Sequence, residues 1–355
     1  MNDVAGFLRK YKMREIVREP VTSADAWIGP DIQDDDGWII YLDEAANAEV
    51  DTALNHAKQA GAGIPFSPDL FPLPNFSAQI DDIVDRVSHG LGVVMVRGLK
   101  RERYSNEDCA LIYWGLGIHM GTPVSQNTRG HLLGHVTDEG FTLANPDARG
   151  YQTRNRLDFH CDQLPTDILG LFCLRTAKSG GTSYLVSATS VHNTLLAERP
   201  DLIDLLYEPF HVDWRGDHPQ GGQPWYDVPM FSARDGVITA RVTNRSFLES
   251  VSRYGEHLAL SDAQRAAMEV VQEIANRPEL RLSMDFQEGD MQFINNHTVL
   301  HARQAYDDYD DPNLKRHLLR MWIALPDESR RPLAPILDDR YSYVASGGIA
   351  KWNAA

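Results

Sequence analysis

Short apolar runs separated by long polar connections are what most limit the folds open to this chain. GLGVVMVRGL (90–99), ILGLFCLRTA (168–177), DMQFINN (290–296) and RHLLRMWIAL (316–325) are each rich in branched or large apolar residues and bounded by glycine, charge or turn residues. Runs of that length and composition predict buried β-strands. TSYLVSA, after the turn SGG, predicts another. Helical spacing appears over 44–61 (Val50, Leu54, Ala57) and 76–89 (Ile80, Ile83, Val84, Val87). SNED at 105–108 predicts a capping box opening a helix through Leu116, with Asp in the usual Glu/Gln place. Residues 188–208 read as helical with a break near Pro200, and a further helix follows Ser261 through Met268, Val271 and Ile274. Short strands, long connections and packed helices predict a mostly β fold with flanking helices. Its core is a double-stranded β-helix (jelly roll, cupin-like) carrying helices on one face.

The expected organisation follows from the same pattern. Residues 1–75 form an N-terminal arm and helix packed on the core, and 76–330 form the jelly-roll domain. That domain has loop insertions at 117–157 and 212–236, both rich in Gly, Pro and polar residues, and 331–355 form a C-terminal extension. Loops that long are usually functional. The 50 acidic against 34 basic residues give a formal net charge of −16, which argues against nucleic-acid and anionic-membrane partners. Cys109, Cys161 and Cys173 form no CxxC pair, and an odd number suits a reducing compartment. No run approaches the ~20 apolar residues of a membrane span. The N-terminus carries no apolar stretch of signal-peptide length. The reading is a cytoplasmic protein with a small-molecule partner; association into a homo-oligomer stays open.

The chemistry begins at RLDFHCDQLP (156–165). His160 and Asp162 are two apart, so on a strand both point to one face and both can reach one ion. INNHTVLHAR (294–303) offers His297 and His301. As HxxxH they would make a helical zinc site, but a hydrolase of that type wants Glu after the first His, and Thr298 stands there. Alternatively His301 completes a triad with His160 and Asp162. Two imidazoles and one carboxylate on one face of a metal leave positions open for a co-substrate and O2, as in non-haem Fe(II) oxygenases. A dicarboxylate co-substrate then needs a buried cation. In RHLLRMW, Arg316, Leu318, Arg320 and Trp322 share one strand face, and the two arginines lie about 13 Å apart along a strand. Guanidinium pairs bidentately with carboxylate. Thr182 or Ser183, in GGTS, could add a hydroxyl.

Taken together, FHCDQLP, ILGLFCLRTAKSGGTSYLVSA, GDMQFINNHTVLHAR and LKRHLLRMWIALPD resemble the taurine dioxygenase/clavaminate synthase-like family of Fe(II)/2-oxoglutarate-dependent dioxygenases. The resemblance covers 159–327, about half the chain, and leaves the first 75 residues unmatched. It implies iron ligands His160, Asp162 and His301. It also implies that Arg316 anchors the far carboxylate of 2-oxoglutarate with Thr182 or Ser183, and that Arg320 lies nearer the iron and the substrate. Iron, 2-oxoglutarate and O2 would together oxidise an unactivated C–H bond, by hydroxylation or desaturation, with release of succinate and CO2. The intact Asp162 speaks for these outcomes over halogenation. Cys161 replaces the more usual Thr within HxD, and His297 a common Arg. Gln126, Arg154, Asn155, Trp214, Arg215 and Trp225, from the two long loops, are candidates for contacting a small organic substrate; their arginines leave an anionic substrate and plain surface-loop charge equally open. A zinc hydrolase on the same three residues and a non-catalytic cupin-like binding protein are the alternatives.

Overall fold

The computed structural model describes residues 14–141, 149–163, 166–337, 348–349 and 351. Parts of the expected arm (1–13), of the first loop insertion (142–148) and of the C-terminal extension (338–347, 350, 352–355), with Leu164 and Pro165, lie outside the described residues.

Two sheets face each other. The larger runs β1 (Ile39–Tyr41), β2 (Val93–Arg97), β14 (Met291–Asn295), β6 (Ile168–Arg175), β17 (His317–Ala324), β3 (Thr122–Pro123), with β4 (Leu133–Val136) also paired to β17. The smaller runs β13 (Leu282–Met284), β8 (Ser183–Ser187), β15 (Val299–Arg303), β5 (Leu157–His160). Within these sheets every pairing is antiparallel except β1 with β2. Among the described residues three two-stranded ribbons accompany these sheets. They are β9 (Pro209–Asp213) with β10 (Trp225–Pro229), β11 (Phe231–Arg234) with β12 (Val237–Ala240), and β7 (Ser179–Gly180) with β16 (Tyr306–Asp307). This is the double-stranded β-helix that the apolar runs predicted.

Alternation along the strands explains the layers. Met95, Leu169, Ile294 and Trp322 of the larger sheet meet Leu185, Leu282 and Val299 of the smaller in one buried cluster. Val94, Val96, Phe172, Phe293 and Met321 turn outward against the helices Glu44–Gln59, Ser77–His89 and Asn106–Met120. The expectation of helices on one face is corrected here. Phe159, Val186, Leu300 and Ala302, on the outside of the smaller sheet, are also apolar and buried, under the helices Ala188–Glu198 and Asp262–Ala275. Strands apolar on both faces must be covered on both.

The capping box forms as read: Ser105 Oγ accepts from Asp108 N at 3.0 Å and Asp108 Oδ2 from Ser105 N at 3.3 Å. Two loop expectations are overturned. The 117–157 segment contributes β3 and β4 to β17, and 212–236 contains most of two ribbons. Both were missed for one reason. Their strands are short and paired at edges by backbone bonds, so they carry no period-two apolar signal.

Gly170, at the centre of β6, lets the helix Asn106–Met120 lie close against the sheet. A Cβ there would sit 2.4 Å from the Tyr113 hydroxyl and 3.1 Å from the Phe293 ring. Gly170→Val, favourable by strand propensity, should therefore destabilise by about 1–3 kcal/mol through overpacking. A urea melt with a lower midpoint and unchanged slope would show it.

Candidate active site

β15 pairs antiparallel with β5 so that His301 stands directly opposite His160. Cross-strand partners share a face, and the two imidazole rings lie 4.2 Å apart, centre to centre. Asp162, just past the end of β5, brings Oδ1 to 3.9 Å from His160 Nε2 and 3.9 Å from His301 Nε2. The three donors lie within 4.8 Å of one another and are the only such group of three or more among the described residues.

Each donor is prepared for a cation. His160 Nδ1 lies 2.7 Å from the Asp158 carbonyl, so it carries the proton and leaves the Nε2 lone pair toward Asp162 and His301. Burial, opposed by Asp162, lowers the His160 pKa; burial and the neighbouring His160 push His301 down to about 3. Both rings are neutral at pH 7, the form that ligates a metal. Burial works against ionisation of Asp162. Arg320, the two histidines and the Trp322 indole outweigh it and hold the carboxyl below its usual range. Its Oδ2 accepts from Arg320 Nη1 at 3.0 Å and Trp322 Nε1 at 2.6 Å, leaving Oδ1 to face the imidazoles. Two neutral nitrogens and one aimed carboxylate oxygen fit a ferrous ion.

The triad borders a cavity of about 120 Å³ between the sheets. Five arginines (Arg149, Arg241, Arg303, Arg316, Arg320) line it against two aspartates (Asp162, Asp217). Arg316 is 5% exposed, and its Nη1 is buried without a partner among the described residues. Ser183 lines the same cavity.

Residues 57–322 match the family described as "Taurine catabolism dioxygenase TauD, TfdA family". The chain belongs to this family. It is 33% identical over 325 residues to the FR-33289 synthase of Streptomyces rubellomurinus (strain ATCC 31215), covering 90% of this chain and 95% of that protein. It is 30% identical over 321 residues to the taurine hydroxylase-like protein SAT17 of Stachybotrys chartarum (strain CBS 109288 / IBT 7711), covering 87% and 81%. The fold is shared with an asparagine oxygenase solved with Fe(II), 2S,3S-3-hydroxyasparagine and succinate. That likeness has a TM-score of 0.61 at 13% identity, over 89% of this chain and 100% of that one. The non-haem iron oxygenase OrfP, solved with Fe and alpha-ketoglutaric acid, gives 0.56 at 16% identity, over 81% and 94%. The TauD/TfdA chain is thus a non-haem Fe(II)- and 2-oxoglutarate-dependent dioxygenase. It uses O2 to oxidise a small organic substrate, and the hydrolase and binding-protein alternatives lose their ground. Among the described residues no helix is long and apolar enough to cross a membrane.

The dioxygenase brings together some of the residues singled out in its sequence and disperses others. Arg316, Leu318, Arg320 and Trp322 all face the cavity, although Arg316 precedes β17, whose pairing is irregular between His317 and Leu318. Thr182 does not line the cavity; its carbonyl accepts from Gln304 N at 2.9 Å, while Ser183 does line it. Gln126 reaches the cavity, yet its side chain is engaged by Arg320 Nε (2.8 Å) and by the carbonyls of Leu132 and Arg320. The other substrate candidates do not line it. Arg154 and Asn155 are exposed, Trp214 packs on Tyr226 at 4.6 Å, Arg215 lies over Phe247 at 5.2 Å, and Trp225 stacks on Tyr254 at 5.9 Å. His297 is not at the triad. It sits in the turn before β15, bonded to Asp167 at 2.9 Å, so HxxxH spans a turn and a strand rather than a helix. Cys161 turns its thiol to the Ala240 carbonyl, in the outer core.

Sequence reasoning missed two buried groups that hold the Asp162 backbone. Asn296 accepts from Asp162 N at 2.8 Å and donates to its carbonyl at 3.0 Å, and Arg241 donates to that carbonyl too. The doubled Asn in INN was the available signal, since a buried amide needs partners. The Trp322 bond is a simple test of how Asp162 is aimed. Trp322→Phe keeps an aromatic ring between the sheets and deletes the indole donor. Anaerobic Fe(II) titration should show about 10–100-fold weaker binding.

Proposed function

We propose that His160, Asp162 and His301 hold the ferrous ion of this dioxygenase. Arg316, helped by Ser183, takes the far carboxylate of 2-oxoglutarate, and the substrate is a small anion. The observation that supports this most is the pairing of an aimed three-donor face with a buried guanidinium whose Nη1 has no partner among the described residues, in one cavity. Burying an arginine without an anion is unfavourable, so the fold keeps Arg316 for a ligand that brings one. Bound iron would supply the chemistry by coupling O2 and the decarboxylation of 2-oxoglutarate to C–H oxidation. The chain itself does four things. The imidazoles present lone pairs, and Arg320 and Trp322 fix Asp162 as a one-oxygen donor. Arg316 orients the keto acid by its distal end, and Tyr151, Phe247 and Phe286 narrow the cavity against water.

Two features speak for an anionic substrate. Cationic side chains dominate the cavity of a chain whose net charge is −16, a local field that attracts anions against the surface background. In addition, Arg149 uses only Nη2 for its bonds to the Trp214 and Arg215 carbonyls and Asp217 among the described residues. That leaves its other donors for a substrate. The test is succinate release with Fe(II) and 2-oxoglutarate across small carboxylates, sulfonates and phosphonates, set against their uncharged amides and esters. The acids should stimulate release and the neutral partners should not. Arg149→Gln should raise KM for a stimulating acid about tenfold, the worth of one lost charged hydrogen bond. Stimulation by neutral or cationic compounds alone would overturn the substrate class. Failure of iron to bind after His301→Ala and in wild type alike would overturn the ligand set.

A further inference from the structure

Arg303 lies two residues beyond His301 on β15, so both side chains leave the same strand face toward the cavity. It is 6% exposed. Its Nη2 donates to the carbonyls of Thr153 at 2.7 Å and Asn155 at 2.6 Å. Its Nε and Nη1 are buried and have no partner among the described residues. Arg316 comes from the opposite sheet and shares this condition at Nη1. The two guanidiniums lie over the Tyr306 ring at 4.7 and 5.2 Å, and the Tyr306 hydroxyl is also buried without a partner among the described residues. Ser183 stands opposite Arg303 in the β8–β15 register.

Among the described residues neither guanidinium has a carboxylate in salt-bridge range; Asp308 accepts from the backbone nitrogen of Arg316, not from its side chain. Burial and the proximity of Arg316 push Arg303 down to about 10, which still leaves it cationic at neutral pH. Two like charges held together out of water, with donors unspent, call for an anion from outside the chain. One carboxylate can accept from both forks, since each oxygen offers two lone pairs.

We propose that Arg303 is a second anchor for the far carboxylate of 2-oxoglutarate and couples its binding to the ordering of segment 149–157 over the cavity. The proposal rests on the assignment of Arg316 and the iron triad made above. The coupling follows from the division of one side chain. Nη2 holds two carbonyls of the segment while Nε and Nη1 have no partner among the described residues, so a carboxylate that fixes the guanidinium also fixes Thr153 and Asn155. That segment carries Arg149 and Tyr151, and Tyr151 lies on the Arg320 guanidinium at 4.7 Å. Anchoring the keto acid therefore builds the wall that the substrate meets.

The test compares 2-oxoglutarate with 2-oxobutyrate, which keeps the chelating keto acid and lacks the far carboxylate. Both are titrated anaerobically into the Fe(II)-loaded full chain, followed by the charge-transfer absorption of the chelate. Wild type should prefer 2-oxoglutarate. Arg303→Gln should weaken 2-oxoglutarate at least about tenfold, as for loss of a charged bidentate contact, and leave 2-oxobutyrate within about twofold; Arg303→Lys should recover part of the loss. Amide hydrogen exchange adds a readout that needs no variant. In wild type 2-oxoglutarate should slow exchange across 149–157 and 2-oxobutyrate should not. Equal weakening of both keto acids by Arg303→Gln would reduce Arg303 to a scaffold residue and overturn the anchor. Exchange in 149–157 indifferent to 2-oxoglutarate would overturn the coupling. Wild-type protein that binds neither keto acid would instead bring down the assignment beneath the proposal, and the proposal with it.

Discussion

The register of β15 on β5 governs this protein. Side chains alternate on a strand, so a slip of β15 by one residue would send His301 into the outer core and bring Leu300 and Ala302 toward the cavity. The outer core resists that slip. Phe159, Leu300 and Ala302 are buried in the cluster that includes Met268 and Val271 of the helix Asp262–Ala275. The side chain of Gln272, on that helix, accepts from Phe159 N at 3.1 Å and donates to its carbonyl at 2.7 Å. A helix on the far side of the sheet thus fixes which residues face the proposed iron site. The convergence of the three candidate donors and the core packing are two consequences of one hydrogen-bond register.

Asp162 shows how a buried carboxylate is kept ionised with one oxygen left to face the imidazoles. Arg320 stabilises its ionised form, and Gln126 in turn holds Arg320 through Nε, so the guanidinium cannot swing into the cavity and compete for other anions. The two arginines of the last strand therefore have unequal freedom. Arg320 is committed to the protein, while Arg316 keeps an unpaired donor. Electrostatics divide their roles more firmly than distance from the triad does. The same reasoning separates Ser183 from Thr182: a hydroxyl can serve the cavity only if the pleat turns it inward.

Much of this was legible because the strands that matter lie between covered layers. Such strands read as unbroken apolar runs, and polar residues inside them stand out, as His160, His301, Arg316 and Arg320 do. The failures came where that contrast disappears. Trp214, Arg215 and Trp225 sit in a segment of mixed composition, where aromatic and charged residues pack the ribbon β9–β10 rather than face a ligand. Arg303 stood in plain view as the end of HAR, at the one spacing that shares a face with His301. What the sequence could not display was that its guanidinium would be buried between a loop backbone and a second arginine. That is a tertiary fact, and no local pattern encodes it. Arg241 was hidden for the same reason, since its partners Asp162 and Asn296 lie more than fifty positions away in sequence.

The wall on the substrate side is built differently from the rest. Buried Asp213 accepts from Arg215 N at 2.6 Å, Ser250 Oγ at 2.7 Å and the Tyr254 hydroxyl at 3.3 Å, and pairs with Arg253 at 3.0 Å. It thereby joins β9 to the helix Arg245–Ser250, whose Phe247 lies between Arg149 and Arg215, each guanidinium 5.2 Å from the ring. These contacts are directional and polar. They come in addition to apolar packing, since Phe210 and Val212 of β9 and Leu248 of that helix are buried in the outer core. A dioxygenase must admit a substrate and release succinate and product from one cavity at every turnover. β5 and β15 carry the proposed metal ligands His160 and His301, and Arg149 and Phe247 line the same cavity from the wall built on Asp213.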